Sequence, residues 1–251
     1  MENNPLVSVI MPCYNVASFV IETIHSVQAQ TYPNWELVIV DDDSTDITVE
    51  LVRDLCQADQ RIRLKVKEKH SGIADSRNQC LKMAQGEYIA FLDADDRWHP
   101  DKLERQLRFM QERGIGFSYS SYDCINEVSE PLNKIVHAGK DLDYEAYLHN
   151  TLIGCSTVML NTEIVGEVIV PNFRTSEDTA TWLKLMKKGI VAYSIGTPLT
   201  SYRIRKKSAS SNKFKASYDL WKVYRQQEKL SFFKALECFF SYVFHAIKKR
   251  L

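Results

Sequence analysis

Short apolar runs rich in β-branched residues alternate, along the first half of the chain, with segments whose apolar side chains recur at helical spacing. The runs are typical of buried strands, and their alternation with helices predicts a parallel α/β sheet. The predicted strands cover residues 7–12, 35–40, 62–66, 88–92 and 117–121. The predicted helices cover residues 18–28 and 73–84, with one more begun by Ser44 or Thr45 and another by Pro100.

The pattern becomes less regular after residue 123. The elements predicted there are a hairpin or loop (124–140), two strands (155–160 and 190–195), a helix ended by Gly189 (177–188), and helix from Lys213 onward. The sequence contains no internal repeat and no Ser/Gly linker. We therefore expect one folded unit that carries a helical extension.

Composition places the chain among ordinary globular proteins, because 45% of its 251 residues are hydrophobic and 25% are charged. The formal net charge is +0, so charge gives no reason to expect a nucleic-acid partner, and composition indicates no oligomeric state. The charge is nevertheless uneven, since residues 203–251 contain 13 Lys or Arg and three acidic residues. The chain thus combines an acidic body with a basic C-terminal extension.

Apolar residues recur at helical spacing within the basic extension: Phe232, Leu236, Phe239, Phe240, Val243, Ile247 and Leu251. Such a helix either packs on the body or lies in a membrane interface, with aromatic rings at the acyl boundary and basic groups on anionic headgroups. The second alternative predicts contact between residues 231–251 and the inner leaflet of the cell membrane.

The cellular compartment is indicated by cysteine usage and by the N-terminus. Six scattered cysteines without a CxxC pair indicate a reducing environment. The N-terminus lacks the basic and long apolar regions of a signal peptide, and no apolar run reaches the roughly 18 residues that span a bilayer. We expect a cytoplasmic protein, either free or attached at the inner face of the membrane.

Candidate ligand-binding residues follow three predicted strands, at the edge where open parallel sheets bind ligands. They are Pro12, Tyr14 and Asn15 after the first strand, Asp41, Asp42 and Asp43 after the second, and Asp93, Asp95 and Asp96 after the fourth. Carboxylates at neighbouring strand ends repel one another unless a cation lies among them, and magnesium or manganese takes such oxygen ligands together with a phosphate. For residues 41–43 taken alone, a turn that begins a helix is the alternative.

Four motifs in the same order resemble family 2 glycosyltransferases with the GT-A fold: VSVIMPCYN (7–15), IVDDDSTD (39–46), SRN (76–78) and GEYIAFLDADD (86–96). A looser likeness continues through residues 176–178 and 202–203. The resemblance is to bacterial transferases of teichuronic acid, capsule and O-antigen assembly. It implies a Rossmann-like, mostly parallel sheet flanked by helices, with a catalytic domain at 1–205 and an extension at 206–251. The halves 1–120 and 121–205 would bind nucleotide and acceptor, respectively.

The resemblance also implies roles for individual residues around the nucleotide. Tyr14 resembles the aromatic residue that packs on the base, and Asp42 the carboxylate that accepts the uracil imide hydrogen. Pro12 and Asp41 would lie in the same pocket. Arg77 resembles the family arginine near the base and the phosphates.

The remaining roles concern the phosphates and the acceptor. Asp93 and Asp95 match the D-x-D motif, in which Asp93 would face the ribose and phosphates and Asp95 would bind Mn²⁺ or Mg²⁺ with help from Asp93. Asp178 resembles the general base. The further candidates for phosphate or acceptor contacts are Asp96, Glu177, Arg203 and Arg205. No histidine is nominated, because the histidines are mostly isolated and His99 precedes Pro100 at a helix start.

The implied function is inverting, metal-dependent transfer of a hexose from a UDP-sugar to a glycan or to a polyprenyl-diphosphate-linked acceptor. UDP-galactose and a β-linked product are the expected donor and linkage. A sugar nucleotidyltransferase is disfavoured, because residues 13–17 contain no phosphate-binding glycine. A catalytically silent nucleotide-sugar-binding module would be expected to lack the D-x-D motif or the base. A glycoside hydrolase would need a second carboxyl group of raised pKa opposite the base.

Overall fold

The computed structural model describes residues 4–151, 153–206 and 213–248. Within them the strands are β1 (Val7–Cys13), β2 (Trp35–Asp41), β3 (Ile62–Val66), β4 (Tyr88–Phe91), β5 (Arg97–Trp98), β6 (Phe117–Ile125), β7 (Pro131–Val136), β8 (Val158–Asn161) and β9 (Tyr193–Arg203). The α-helices are α1 (Val20–Gln28), α2 (Thr48–Ala58), α3 (Ile73–Met83), α4 (Lys102–Arg113), α5 (Tyr144–His149), α6 (Thr162–Val165), α7 (Glu177–Met186), α8 (Lys213–Lys222) and α9 (Phe232–Lys248).

The strands form one sheet in the order β3-β2-β1-β4-β8-β6-β9-β5, and β7 pairs with β6. The predicted parallel pairing is confirmed for β3, β2, β1 and β4. Beyond β4 the sheet is mixed, because β8 runs antiparallel to both of its neighbours while β6 and β9 pair in parallel. The sheet is continuous through both predicted halves, and residue 120 lies inside β6.

Helices cover both faces of the sheet, which explains the continuous apolar runs in the central strands. Every residue of β1 and β2 is buried. One apolar cluster packs α1 and α4 on one face, and a second packs α3, α5 and α7 on the other. In the second cluster the Trp182 ring of α7 lies 5.0 Å from that of Phe91 and 5.2 Å from that of Phe117. This packing fixes α7 against the middle of the sheet, where β4 and β6 flank β8.

The start of α2 differs from the prediction. Neither Ser44 nor Thr45 caps this helix, which begins at Thr48. The Asp46 carboxylate instead accepts the Thr48 N–H at 3.0 Å. The two predicted caps are bonded elsewhere, because the Thr45 N–H donates to the side chain of Asn15 and the Ser44 hydroxyl donates to Asp41. They serve the loop between the strand and the helix rather than the helix itself.

Of the two alternatives predicted for residues 124–140, a hairpin or a loop, the structure has a hairpin, whose first strand begins before residue 124 and pairs antiparallel with β7 from Tyr122 onward. The strand predicted at 190–195 is wrong at both ends, because β9 starts at Tyr193 and continues to Arg203. Gly196 and Pro198 interrupt the alternation of apolar residues there, and the pairing with β6 shifts register between Ser120 and Tyr122. Strand β5 was not predicted, because two residues carry no periodic signal.

In the part of the C-terminal extension that the structure describes, the helix predicted from Lys213 onward is divided into α8 and α9. A π-helical turn at Val223–Gln227 follows α8, and residues 228–231 separate it from α9. Residues 207–212 and 249–251 of the predicted extension lie outside the described residues. Among the helices that are described, none combines the length and the hydropathy needed to cross a bilayer.

Candidate active site

The parallel strands β1, β2 and β4 end at one edge of the sheet, and the loops that follow them form the candidate site. Asn15, a left-handed residue with φ +50°, ties the first two loops together. Its side-chain oxygen accepts the Thr45 N–H at 2.8 Å, and its own N–H donates to the Ser44 hydroxyl at 2.9 Å. These bonds hold the β1 and β2 loops in a fixed relation.

Asp41 faces into the protein and shapes the loop after β2. The side chain is fully buried and accepts the N–H of Ser44 at 2.8 Å and its hydroxyl at 2.6 Å. The turn of the structural alternative is present, but it does not begin a helix, because α2 starts only at Thr48. Pro12 is likewise buried, within β1 and in register with Val40.

Asp42 anchors the segment that leads into α3. Its carboxylate accepts the N–H groups of Ser71 at 3.0 Å and Gly72 at 2.7 Å, and it forms an ion pair with Lys67. Burial disfavours the charged form, but the hydrogen bonds from Lys67, Ser71 and Gly72 outweigh burial and lower the pKa of Asp42. Because this carboxylate already has several donors, its role toward a nucleotide base stays a prediction.

Tyr14 lies at the mouth of the site and is 44% exposed. Its ring centroid lies 4.3 Å from that of His70, whose Nδ1 is 3.1 Å from the carbonyl oxygen of Asp42. A cavity of about 640 Å³ opens beside His70, bounded by the start of α3, residues 172–174 and α8. The exposed part of the Tyr14 ring is therefore available for stacking. The contact with His70 was not predictable, because this histidine stands in no motif in the sequence.

The D-x-D carboxylates are the partly exposed acids of the site. The Asp93 and Asp95 side chains are 28% and 23% exposed, and Nη1 of Arg205 lies 2.8 Å from Oδ2 of Asp95. Burial and the Asp93 charge raise the pKa of Asp95, and Arg205 opposes that rise.

The chemistry of this donor set fits a divalent cation. Mg²⁺ and Mn²⁺ are commonly bound by one or two carboxylates together with water and phosphate oxygens. In the described ranges no three His, Cys, Asp or Glu side chains lie close enough together to bind a metal ion by themselves. Asp93 and Asp95 would hold such an ion, and its remaining ligands would come from water and substrate.

Asp96 is a buried positioning residue. It is 1% exposed, and its carboxylate accepts the Arg203 N–H at 2.9 Å and the Ser156 hydroxyl at 2.5 Å. Ser156 in turn accepts the Asp93 N–H at 3.0 Å. Asp96 therefore stabilises the D-x-D loop from its buried side. The predicted contact of Asp96 with phosphate or acceptor is wrong, because both carboxylate oxygens face the protein interior. Ser156 carried no motif that would have identified it.

The Arg203 side chain is also enclosed, with no exposed surface. Its guanidinium pairs with Glu22 of α1 at 2.6 Å and donates to the Asp95 carbonyl oxygen at 2.7 Å. It also donates to the Ser129 hydroxyl in the β6–β7 turn at 2.8 Å. Arg203 thus braces the D-x-D loop against α1 and the hairpin, and the substrate contact predicted for it would require these bonds to break.

Arg77 connects the D-x-D motif to the first turn of α7. The guanidinium is buried, its Nη1 lies 2.6 Å from Glu177, and its Nη2 donates to Asp93. Glu177 is buried by this contact, so it acts through Arg77 rather than at the surface of the cleft. One ion-pair network thus joins Asp93 on the β4 loop to α7.

Asp178 follows directly on Glu177 and is partly exposed. Burial raises the pKa of its carboxyl, the Arg77 charge lowers it, and the Asp93 charge raises it again. Arg77 therefore links the α7 turn that carries the predicted base to the predicted cation ligand Asp93. The arrangement can hold an anion through a cation on one side and accept a proton on the other.

Comparison with known proteins assigns the fold and the family. The sequence profile described as Glycosyl transferase family 2 matches residues 8–165. The chain is 48% identical to the Bacillus subtilis glycosyltransferase TuaG, assigned provisionally to teichuronic acid biosynthesis, over 98% of both chains. It is 42% identical to the Escherichia coli protein WfgD, named as a UDP-Glc:alpha-D-GlcNAc-diphosphoundecaprenol beta-1,3-glucosyltransferase, over 87% of this chain and 85% of that one.

Solved structures share the fold at lower identity. TarS 1–349 of S. aureus in complex with UDP-GlcNAc superimposes with a TM-score of 0.73 at 21% identity, covering 87% of this chain and 64% of that one. The mannosyltransferase PcManGT of Pyrobaculum calidifontis, with GDP-Man and Mn²⁺, gives 0.69 at 20% identity, covering 92% and 66%. The profile match, the two relatives and the shared fold lead to one conclusion: the chain belongs to glycosyl transferase family 2 and is a glycosyltransferase with the GT-A fold.

Proposed function

We propose that the protein is an inverting, metal-dependent hexosyltransferase of bacterial surface polysaccharide synthesis, using a UDP-sugar and a polyprenyl-diphosphate-linked sugar or glycan acceptor. The observation that carries the proposal is the Arg77 bridge, which joins the candidate cation ligand Asp93 to the α7 turn containing Asp178. The names of TuaG and WfgD support the process and the kind of acceptor.

In the proposed mechanism Asp178 accepts the proton of the acceptor hydroxyl as that oxygen bonds to the anomeric carbon. The hydroxyl attacks from the face opposite the leaving UDP, so an α-linked donor gives a β-linked product. A divalent cation held by Asp93 and Asp95 would neutralise the charge that develops on the leaving diphosphate, so that no general acid is needed. Tyr14 would stack on the base and keep the donor in register.

The donor proposed from the sequence is UDP-galactose, whereas WfgD and a second relative, WfaP, carry UDP-Glc in their names. The two sugars differ only in the configuration at C4. Discrimination between such epimers depends on one or two hydrogen bonds from the pocket. We therefore propose a UDP-hexose donor, and the test compares both epimers.

The test measures UDP release by the purified protein with UDP-glucose or UDP-galactose, Mn²⁺ and a synthetic GlcNAc-diphosphate-lipid acceptor. We expect acceptor-dependent release with one epimer, a product of inverted configuration, and loss of at least about a hundredfold in rate with a chelator. Binding of UDP without turnover on either sugar would favour the silent binding module. A retained configuration, or a rate that ignores the chelator, would overturn the proposed mechanism.

We also propose that α9 places the enzyme on an anionic membrane surface. Helix α9 docks on the body through Ala235 and Cys238, both fully buried, and Phe239 of the apolar pattern packs beside them. The opposite side presents Phe233, Phe240 and Phe244, which are 82%, 63% and 65% exposed. Positions seven and eleven residues apart share a helix face.

Charge supports an anionic surface as the occupant of this phenylalanine face. Residues 206–251 contain 11 Lys or Arg against three acidic residues, so headgroup attraction and ring insertion act together. Such a position would bring the cleft close to a lipid-diphosphate-linked acceptor.

Vesicle flotation tests the membrane proposal. The wild-type chain should float with phosphatidylglycerol-containing vesicles and less with phosphatidylcholine alone, whereas a triple Phe233→Ser, Phe240→Ser, Phe244→Ser variant should stay at the bottom. The control carries the same change at three exposed apolar positions on other faces, Ile47→Ser, Val128→Ser and Ile169→Ser. Equal flotation of the two triple variants would overturn the proposal.

A further inference from the structure

Arg205 occupies the position on the D-x-D motif where a cation is needed. Its Nη1 lies 2.8 Å from Oδ2 of Asp95, and both side chains are 23% exposed. Asp95 has Asp93 as a like-charged neighbour, so its ionised form is stabilised only when a positive charge lies beside it. Without a metal ion, that charge has to come from the protein. In the structure described here a side chain of the chain itself supplies that charge.

The backbone around Arg205 is anchored on both sides. The Ile204 N–H donates to the carbonyl oxygen of Ile125 at 2.9 Å, and the Lys206 N–H donates to the Glu127 carboxylate at 2.9 Å. The Arg205 guanidinium carbon lies 4.9 Å from the centroid of the Phe19 ring. The backbone of Arg205 is thus fixed beside the D-x-D loop. A rotation of the side chain alone is enough for the guanidinium to leave Asp95 and bind another anion.

A divalent cation and the Arg205 guanidinium cannot both use the same Asp95 oxygen, because like charges repel at that distance. A guanidinium displaced from a carboxylate remains beside the site with five N–H donors in a planar fork. That geometry also suits a phosphate, which a UDP-sugar would bring to the same place. The divalent cation would replace the guanidinium at Asp95, and the guanidinium would then bind the phosphate. The energy lost in the first step is offset by the second, since Asp95 and the phosphate each have a cationic partner.

We propose that Arg205 is an exchangeable counterion of the active site: it neutralises Asp95 in the empty enzyme and transfers to the donor diphosphate when a divalent cation takes its place. The inference rests on the proposed function, because it requires a diphosphate donor and a cation at Asp95. It assigns Arg205 two successive anionic partners, so that its removal changes metal binding and nucleotide binding in opposite directions.

The experiment measures two affinities for Arg205→Gln, with Lys206→Gln as the control that removes the same charge from the next residue. Titration of Mn²⁺ into nucleotide-free protein should give roughly twofold to fivefold tighter binding for Arg205→Gln, because a competing, partly exposed ion pair is gone. Titration of UDP in saturating Mn²⁺ should give roughly tenfold to a hundredfold weaker binding, because a charge-assisted contact to phosphate is lost. The control should change neither affinity by more than about twofold.

A further variant, Arg205→Lys, keeps the charge but not the fork, and should bind Mn²⁺ like the wild type while binding UDP with intermediate affinity. Unchanged affinities in Arg205→Gln, or changes of the same sign, would overturn the inference while leaving the proposed function intact. If the wild-type protein itself binds no UDP with Mn²⁺, the proposed function fails instead. A thermal unfolding curve for each variant establishes that it is folded.

Discussion

Replacing Asp178 with Asn is expected to lower turnover by about 10²–10⁴-fold and to leave donor affinity nearly unchanged, because only the proton transfer from the acceptor is lost. The amide keeps the size of the carboxylate and does not accept a proton at neutral pH. The side chain lies at the start of α7, one residue from the Arg77 bridge, so the change leaves the network around Asp93 in place. Steady-state rates and UDP affinity measured on the same preparation test both parts of the expectation.

The pH profile separates loss of a base from loss of structure. Burial raises the pKa of Asp178, with Arg77 opposing and Asp93 adding to the rise, so the base is protonated at a higher pH than an ordinary aspartate. Turnover of the wild type should therefore fall as the pH is lowered through this raised pKa, and the residual rate of Asp178→Asn should not show that fall. Asp54→Asn, at an exposed position of α2, is the matched control. Equal turnover of the two variants would remove Asp178 from the mechanism.

The first half of the fold was predictable because its signal is strong and local. Strands β1 and β2 are buried at every position, so their apolar runs are continuous and unambiguous. The rule that parallel strands end at one edge then placed the β1, β2 and β4 loops together before any contact was known. The same rule gave the cluster of Tyr14, Asp93 and Asp95, which the structure does bring to one rim.

The direction in which each carboxylate points was not predictable from its position after a strand. Asp42 and Asp95 both follow a buried strand, yet the first turns toward Lys67 and the backbone of residues 71 and 72, while the second faces the rim. The donors that decide this lie 25 or more residues away along the chain. Asp96 is similar, because its partners Ser156 and Arg203 come from elements whose register the pattern did not define.

The second half of the sheet and the extension depended on contacts between distant elements. The docking face of α9 is an example: its apolar pattern left packing on the body and lying in a membrane interface as alternatives, whereas in the structure Ala235 and Cys238 are fully buried against the body. Small side chains let a helix pack closely, with Phe239 and Tyr242 partly buried beside them, while Phe233, Phe240 and Phe244 stay exposed. A hydrophobicity pattern shows which residues are apolar, but it does not show which face of the helix is small enough to approach the body closely.

Replacing Arg77 with Met is expected to lower the free energy of unfolding by about 3–5 kcal/mol, the usual cost of leaving one member of a buried ion pair without its partner. The Arg77 side chain is 4% exposed and Glu177 is 8% exposed, so water does not readily replace the lost guanidinium. Met fills a similar length and limits the cavity, which assigns most of the loss to charge. Urea denaturation of the nucleotide-free protein at neutral pH measures the change.

Two matched variants decide whether the loss comes from the unpaired Glu177. The double variant Arg77→Met, Glu177→Gln removes both charges and should recover part of the loss, because a neutral amide is cheaper to bury than an unpaired carboxylate. Arg108→Met, which breaks the exposed pair with Glu104, should cost less than about 1 kcal/mol. If Arg77→Met cost no more than Arg108→Met, the bridge would not be what holds α7 against the D-x-D loop. The position of Asp178 relative to Asp93 would then depend on the apolar packing of α7, in which Trp182 contacts Phe91 and Phe117.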